Sequence, residues 1–145
     1  MGSEGPPRYV EALRRFVADL GLGDAVDITG SVTDEALAAH FRAADVFVSA
    51  SQHEGFGVPF LEAMAHGVPV VCTGGSAVDE TVGGAGLVLA DRSPSTFATA
   101  VHRVLTDAPL RAGLVAAGHA RVADFGPART AAALRWAVDH MLAEV

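Results

Sequence analysis

Helical and strand patterns alternate along much of the chain. Apolar residues recur at helical spacing from Pro7 to about residue 20, and again from a cap at Thr33 or Asp34 to about Ala44. Short strands are predicted between and after these stretches, at residues 26–29, 46–49, 68–72 and 86–89, and the strand at 46–49 is expected to be buried. Further helices are predicted at 59–66, at 78–82, from Pro94, from about residue 110 and from Pro127.

Strands separated by helices predict an α/β fold. We expect a doubly wound parallel sheet, the Rossmann-like type, with about four strands and a helical C-terminus. Ligands bind beyond the carboxyl ends of the strands in such sheets. The site should therefore be lined by the loops at residues 30–32, 50–58 and 73–77, each of which follows a predicted strand.

Composition and charge exclude several classes of function. Half of the 145 residues are hydrophobic and the net charge is −7, which argues for a packed domain and against binding to a nucleic-acid backbone. All ten basic residues are arginine, so no lysine can form a Schiff base or bind a phosphate. No apolar run approaches the ~20 residues of a membrane span.

The single cysteine and the first residues bear on location. Cys72 has no cysteine partner and lies in an apolar run, so we expect a small buried thiol. Residues 1–15 lack the basic and apolar segments of a secretory signal. We expect a cytoplasmic protein, with peripheral membrane association left open.

The stretch from His53 to Val71 combines features of a phosphate-binding turn. Glycines before a helix let backbone approach a ligand, and the first helical N–H groups are free to bind an anion. The amides of Gly57, Val58 and Phe60 would form the phosphate cradle, since Pro59 has no N–H. The alternative is a tight strand-to-helix turn with no ligand.

Two carboxylates flank this turn. Glu54 lies in the loop, and Glu62 follows after seven intervening residues, about one turn into the helix. An ionised carboxylate can accept hydrogen bonds from a pair of sugar hydroxyls, so one acid could hold a ribose and the other a transferred sugar. A glycosidase pair is the competing interpretation, but it requires one protonated carboxyl, which nothing in the sequence indicates.

The segment EGFGVPFLEAMAHGVPVV closely resembles the signature of retaining glycosyltransferases of the GT-B fold, family 4, in which two glutamates are separated by seven residues. The flanking segments AADVFVSASQHEGFG, TGGSAVDETVGGAGLVLADRSP and VDITGSVTDEAL resemble the same family. The resemblance extends over essentially the whole chain. Residues 1–145 would then form part of the C-terminal, nucleotide-sugar-binding domain.

The resemblance implies a role for each residue of the motif. Glu54 would be the catalytic-site acid on the donor-sugar hydroxyls, and Glu62 would bind the ribose. The backbone of Gly55 and Phe56 would approach sugar and diphosphate, with the amides of Gly57 and Val58 on phosphate oxygens. Other residues are weaker candidates for the donor pocket: Gly30 and Val32 beside the nucleobase, and His53, Thr73 and Gly74 beside the sugar and phosphates. The family implies no metal cofactor.

The sequence departs from the family pattern at its start. The segment Gly2 to Pro6 resembles the loop after the family's second strand, so the first two strands, their Arg/Lys loop and the acceptor-binding half are not matched. The arginine and lysine of that loop would stabilise the charge of the leaving diphosphate. We therefore expect this chain alone to be inactive and to need the acceptor half, in cis or as a separate chain. The alternative is a non-catalytic nucleotide-binding or docking module.

The departure has a structural consequence. In the family's sheet, the two unmatched strands would lie between residues 26–29 and residues 46–49. Without them, residues 26–29 should either pair directly with residues 46–49 or leave exposed sheet edges that favour self-association.

Overall fold

The computed structural model describes residues 7–75 and 77–143 of the chain. The described residues form two compact units, which divide between His40 and Phe41 and are described in turn. The segment from Gly2 to Pro6 that resembles a family loop lies outside the described residues. Neither unit contains a helix long and apolar enough to cross a bilayer, over the residues described.

The first unit contains the predicted N-terminal helix. Helix α1 spans Pro7–Asp19, and Gly21 follows it with a φ of 67° while its N–H donates to the Ala18 carbonyl at 2.9 Å. Helix α2 spans Asp34–Ala43, and its residues from Phe41 onward belong to the second unit. Thr33 caps α2, because its side-chain oxygen accepts the Ala36 N–H at 3.3 Å.

The strand predicted at Val26–Thr29 is wrong. These residues have no strand conformation, and the direct pairing expected with residues 46–49 does not form. A run of β-forming residues becomes a strand only when a neighbour satisfies its backbone hydrogen bonds. The structure provides no such neighbour among the residues it describes.

The second unit is built on a three-stranded parallel sheet, not the expected four strands. Strands β1 (Phe47–Ser49), β2 (Val70–Thr73) and β3 (Leu87–Leu89) lie in that order. Val71 is opposite Leu87 in the β2–β3 pairing. The α/β class with a helical C-terminus is confirmed. The helices are α3 (Val58–Ala65), α4 (Val78–Val82), α5 (Pro94–Thr106), α6 (Ala108–Asp124) and α7 (Pro127–Ala143).

The core surrounds the central strand. Every residue of β2 is buried, and Val71 packs with Val104 of α5 and Leu114 of α6. Cys72 is buried, as the sequence predicts, and this burial raises the pKa of its thiol to about 11. The thiol therefore stays protonated at neutral pH and serves as a small apolar packing group.

Local sequence signals set the start of the helices that enclose the sheet. Ser93 caps α5 by accepting the Thr96 N–H at 3.2 Å, and Asp107 caps α6 by accepting the Leu110 N–H at 3.0 Å. In both helices a proline occupies the first turn, where a missing N–H costs nothing. These caps fix the residues at which α5 and α6 begin.

Candidate functional site

The carboxyl ends of β1 and β2 bring two predicted loops together. Ser49 pairs with Cys72, so the loop after β1 and the loop after β2 leave the same edge of the sheet. The hydroxyl of Thr73, which is 4% exposed, donates to the Ser51 carbonyl at 3.4 Å. Thr73 thus connects the two loops, and Gly74 continues β2 by donating its N–H to the Leu89 carbonyl at 3.4 Å.

Two free amides stand at the start of α3. Gly57 is the N-cap residue in the left-handed conformation, with φ 82° and ψ 41°, and no side chain caps the helix. The Phe60 N–H donates to the Gly57 carbonyl at 3.0 Å. Phe60 is therefore not part of the cradle, which corrects the expectation from sequence. The N–H groups of Gly57 and Val58 have no acceptor among the described residues.

The shape of the turn admits only glycine at position 57. A Cβ on Gly57 would lie 2.6 Å from Cδ2 of the Phe60 ring. Phe60 is 1% exposed, and its ring meets that of Phe47 edge-on at 5.7 Å. The ring has little freedom to move aside, so a side chain at position 57 would force the turn to shift.

The two acids flank these amides in sequence, and both are partly buried. Glu62 lies in α3. Its backbone carbonyl accepts two hydrogen bonds from His66, one from the backbone N–H at 3.2 Å and one from the ring Nδ1 at 2.8 Å. The Glu62 carboxylate has no hydrogen-bond or ion-pair partner within the described parts of the chain. Glu54 precedes the turn in the loop. Gly55 and His53 are exposed beside it.

The loop after β2 is shaped by an acid. The Oδ2 atom of Asp79 accepts the Gly75 N–H at 3.1 Å. A Cβ on Gly74 would lie 2.7 Å from Oδ1 of the same carboxylate, so Gly74 allows the loop to fold tightly over Asp79. Ser76 of this loop lies outside the described residues. The roles of Thr73 and Gly74 toward a ligand remain predictions.

The structure reveals contacts that sequence reasoning missed. The Thr81 hydroxyl in α4 donates to the Phe56 carbonyl, and the Phe56 ring meets Phe125 edge-on at 5.5 Å. Arg121 in α6 donates to the carbonyls of Thr81, at 3.1 Å, and Glu80. These partners are separated by 25 to 41 positions along the chain, so no local pattern could have paired them.

The two residues predicted to lie beside the nucleobase, Gly30 and Val32, are in the first unit. Gly30 has a φ of 64° and Val32 is 39% exposed. Their role stays a prediction. Over residues 7–75 and 77–143, no three His, Cys, Asp or Glu side chains come together as a metal-binding group.

Comparison with known proteins identifies related sequences and structures. The family described as "Glycosyl transferases group 1" matches residues 1–107. A GDP-mannose-dependent alpha-(1-6)-phosphatidylinositol monomannoside mannosyltransferase of Mycobacterium tuberculosis is 39% identical over 76% of this chain and 31% of the relative. A D-inositol 3-phosphate glycosyltransferase of Frankia alni is 36% identical over 91% of this chain and 33% of the relative. The chain thus spans about a third of the length of these curated relatives.

Solved structures match over most of the fold. The sucrose-phosphate synthase of Thermosynechococcus elongatus superposes with a TM-score of 0.81 at 27% identity, covering 99% of this chain and 38% of that one. The C-terminal domain of a group 1 glycosyl transferase from Francisella tularensis gives 0.70 at 28% identity, covering 81% of this chain and 64% of that one.

Proposed function

Because the chain belongs to the group 1 glycosyl transferases, we propose that it supplies the donor-binding part of a retaining, metal-independent sugar transferase. The full enzyme would transfer a sugar from a nucleotide-diphosphate sugar to an acceptor. The observation that carries this proposal is the start of α3, where the amides of Gly57 and Val58 have no acceptor among the described residues and Glu54 and Glu62 flank the turn in sequence.

The free amides suit the diphosphate. Unsatisfied N–H groups at a helix start favour a negative charge, and the helix dipole adds to this preference. Gly57 has no side chain to block the approach of a phosphate oxygen. Val58 is 51% exposed, so its amide lies near the protein surface.

The carboxylates suit the sugar groups on either side of the diphosphate. Glu62 has no protein partner within the described residues to satisfy its carboxylate, which leaves its oxygens available for two ribose hydroxyls. Glu54 would accept hydrogen bonds from the donor sugar and orient it for transfer.

The relatives suggest which donors to test first. The Mycobacterium tuberculosis relative is named as GDP-mannose-dependent. A suitable panel therefore contains GDP and GDP-mannose together with the diphosphates of adenosine, uridine and thymidine. Binding of one of them by calorimetry or NMR would support the donor role, and no binding across the panel would contradict it for this chain.

Replacing Glu62 with alanine is expected to weaken nucleoside-diphosphate binding roughly 10- to 100-fold, because a hydrogen bond to a charged group contributes about 1.5–3 kcal/mol. The measurement is an NMR or calorimetric titration with the diphosphate that wild type binds best. Asp139→Ala is the control, since it removes one acid from the exposed surface of α7. Equal affinity of wild type and Glu62→Ala would refute the ribose role.

The isolated chain is expected to show no sugar transfer. The sequence has no lysine, and the guanidinium of Arg121 is engaged by the carbonyls of α4 and by Asp124. Charge on a leaving diphosphate needs cations to stabilise it, which we assign to the rest of the enzyme. An assay with labelled nucleotide sugars and the purified chain tests this, and clear turnover would overturn it.

A second candidate is a non-catalytic module that docks a separate acceptor-domain chain or a second copy of itself. Strand β1 is at the edge of the described sheet, and unpaired edges favour association. Helix α7 also exposes large apolar side chains: Leu134, Trp136, Val138 and Met141. Nucleotide titration separates the candidates, since a docking module without donor function would not bind the panel.

A further inference from the structure

The peptide group between Phe56 and Gly57 has only one of its two polar atoms satisfied within the described residues. Its carbonyl oxygen accepts the hydrogen bond from the Thr81 hydroxyl. Its N–H, which belongs to Gly57, has no acceptor among those residues. Thr81 is 2% exposed, so the bonded side of the peptide faces the protein interior.

The geometry of a peptide bond connects these two observations. The C=O and N–H of a trans peptide point in opposite directions, and none of the described peptide bonds is cis. A carbonyl held toward Thr81 therefore turns the Gly57 N–H away from Thr81. If the peptide rotated by half a turn, the Phe56 carbonyl oxygen would take the place of the Gly57 N–H and would repel a phosphate bound there.

We propose that Thr81 is a positioning residue for the donor diphosphate, and that its hydroxyl holds the Gly57 amide in the orientation that binds a phosphate oxygen. This inference rests on the proposed function. It adds a residue that lies outside the segment from Glu54 to Glu62 and acts through the backbone, without touching the ligand itself.

The surroundings of Thr81 hold its hydroxyl in place. Its N–H donates to the Ala77 carbonyl at 2.9 Å, and its carbonyl accepts Nε of Arg121 at 3.1 Å. On the other side of the loop, the ring of Phe56 rests on Phe125. The peptide is thus fixed through both its carbonyl and its preceding side chain, which limits rotation before a ligand binds.

A hydroxyl is required at this position, not merely a side chain of that size. Valine has the shape of threonine but no donor, so Thr81→Val would leave the Phe56 carbonyl without its partner, and rotation of the peptide toward solvent would then cost less. Serine keeps the donor and loses only the methyl group, which lies 3.7 Å from the position of a Cβ on Gly57. The two variants therefore separate the hydrogen bond from packing.

The test is an NMR titration of the 145-residue chain with the nucleoside diphosphate that wild type binds best, and with the matching nucleoside. Thr81→Val is expected to bind the diphosphate about tenfold more weakly and the nucleoside with unchanged affinity, because only phosphate contacts the amide. Thr81→Ser is expected to retain both affinities within about threefold. Thermal unfolding confirms that each variant is folded.

The outcomes are separable. If wild type binds no diphosphate in the panel, the proposed function fails and this inference fails with it. If wild type binds but Thr81→Val binds diphosphate equally well, or loses affinity for both ligands in the same proportion, only the positioning role is overturned.

A second measurement needs only the wild-type chain. The exchange rate of the Thr81 hydroxyl proton with water is expected to be slow, and to remain slow in the complex. Fast exchange would contradict the proposal.

Discussion

Gly57→Ala is expected to lower the free energy of unfolding by about 2–4 kcal/mol and to remove measurable nucleoside-diphosphate binding. Two costs add at this position. A side chain at φ 82° is in the left-handed region, which costs about 1–2 kcal/mol. The new methyl group would also collide with Cδ2 of Phe60 at 2.6 Å, and this buried ring can relax only by disturbing its contact with Phe47.

Binding is lost for a separate reason. Any backbone shift that relieves the collision moves the Gly57 and Val58 amides, and hydrogen bonds weaken steeply once the angle at the hydrogen falls below about 120°. We therefore expect the affinity for diphosphate to fall even at temperatures where the variant is folded. This fall should exceed what partial unfolding of the variant alone would cause.

Gly55→Ala is the matched control for this change. Gly55 lies two residues earlier in the same loop, and a Cβ there would meet nothing within 4 Å. Chemical denaturation should show that Gly55→Ala is close to wild type in stability. Equal effects of the two substitutions would show that the turn at Gly57 has no special requirement for glycine.

Arg121→Met is expected to lower the free energy of unfolding by about 2–4 kcal/mol, since hydrogen bonds to a charged group contribute about 1.5–3 kcal/mol each and are not additive. The guanidinium, whose side chain is 23% exposed, donates to the carbonyls of Glu80 and Thr81 at the end of α4 and pairs with Asp124 at 2.9 Å. It also lies 4.7 Å from the centre of the Phe125 ring. Methionine preserves the packing of the stem but none of these donors.

The same helix provides the control. Arg111→Met removes an ion pair with Asp45 at 3.0 Å, in which the side chains are 40% and 68% exposed. Exposed pairs of this kind contribute about 0–1 kcal/mol. Urea denaturation of both variants is the measurement. A loss from Arg121→Met no larger than that from Arg111→Met would mean that the hydrogen bonds from Arg121 to the carbonyls of α4 are dispensable.

Much of the candidate site could be predicted because its signals are local. Gly57 and Pro59 mark a helix start by what their backbones can do, and Phe60 and Val71 mark buried elements by apolar spacing. The strands of the second unit were found within two residues of their predicted ends. The two acids could be singled out because their types and spacing suit sugar hydroxyls, and their roles stay predictions.

The remaining features depend on partners distant in sequence. The segment Val26–Thr29 was predicted as a strand like the segment Phe47–Ser49, yet among the described residues only the latter has a neighbouring strand. The N–H of Phe60 looked free in the sequence but is used by the Gly57 carbonyl, because the left-handed turn brings the two together. Local propensity cannot decide which backbone groups find partners.

The sequence by itself determined the α/β class, the cap of α2, the buried thiol and the position of the turn before α3, because each follows from the conformational limits or polarity of one or a few adjacent residues. The tertiary structure decided which amides remain free and which way they face. That choice depends on Thr81, 25 positions from Phe56, and on Arg121, 40 positions from Thr81. Hydrogen bonds between such distant residues exist only once the chain has folded.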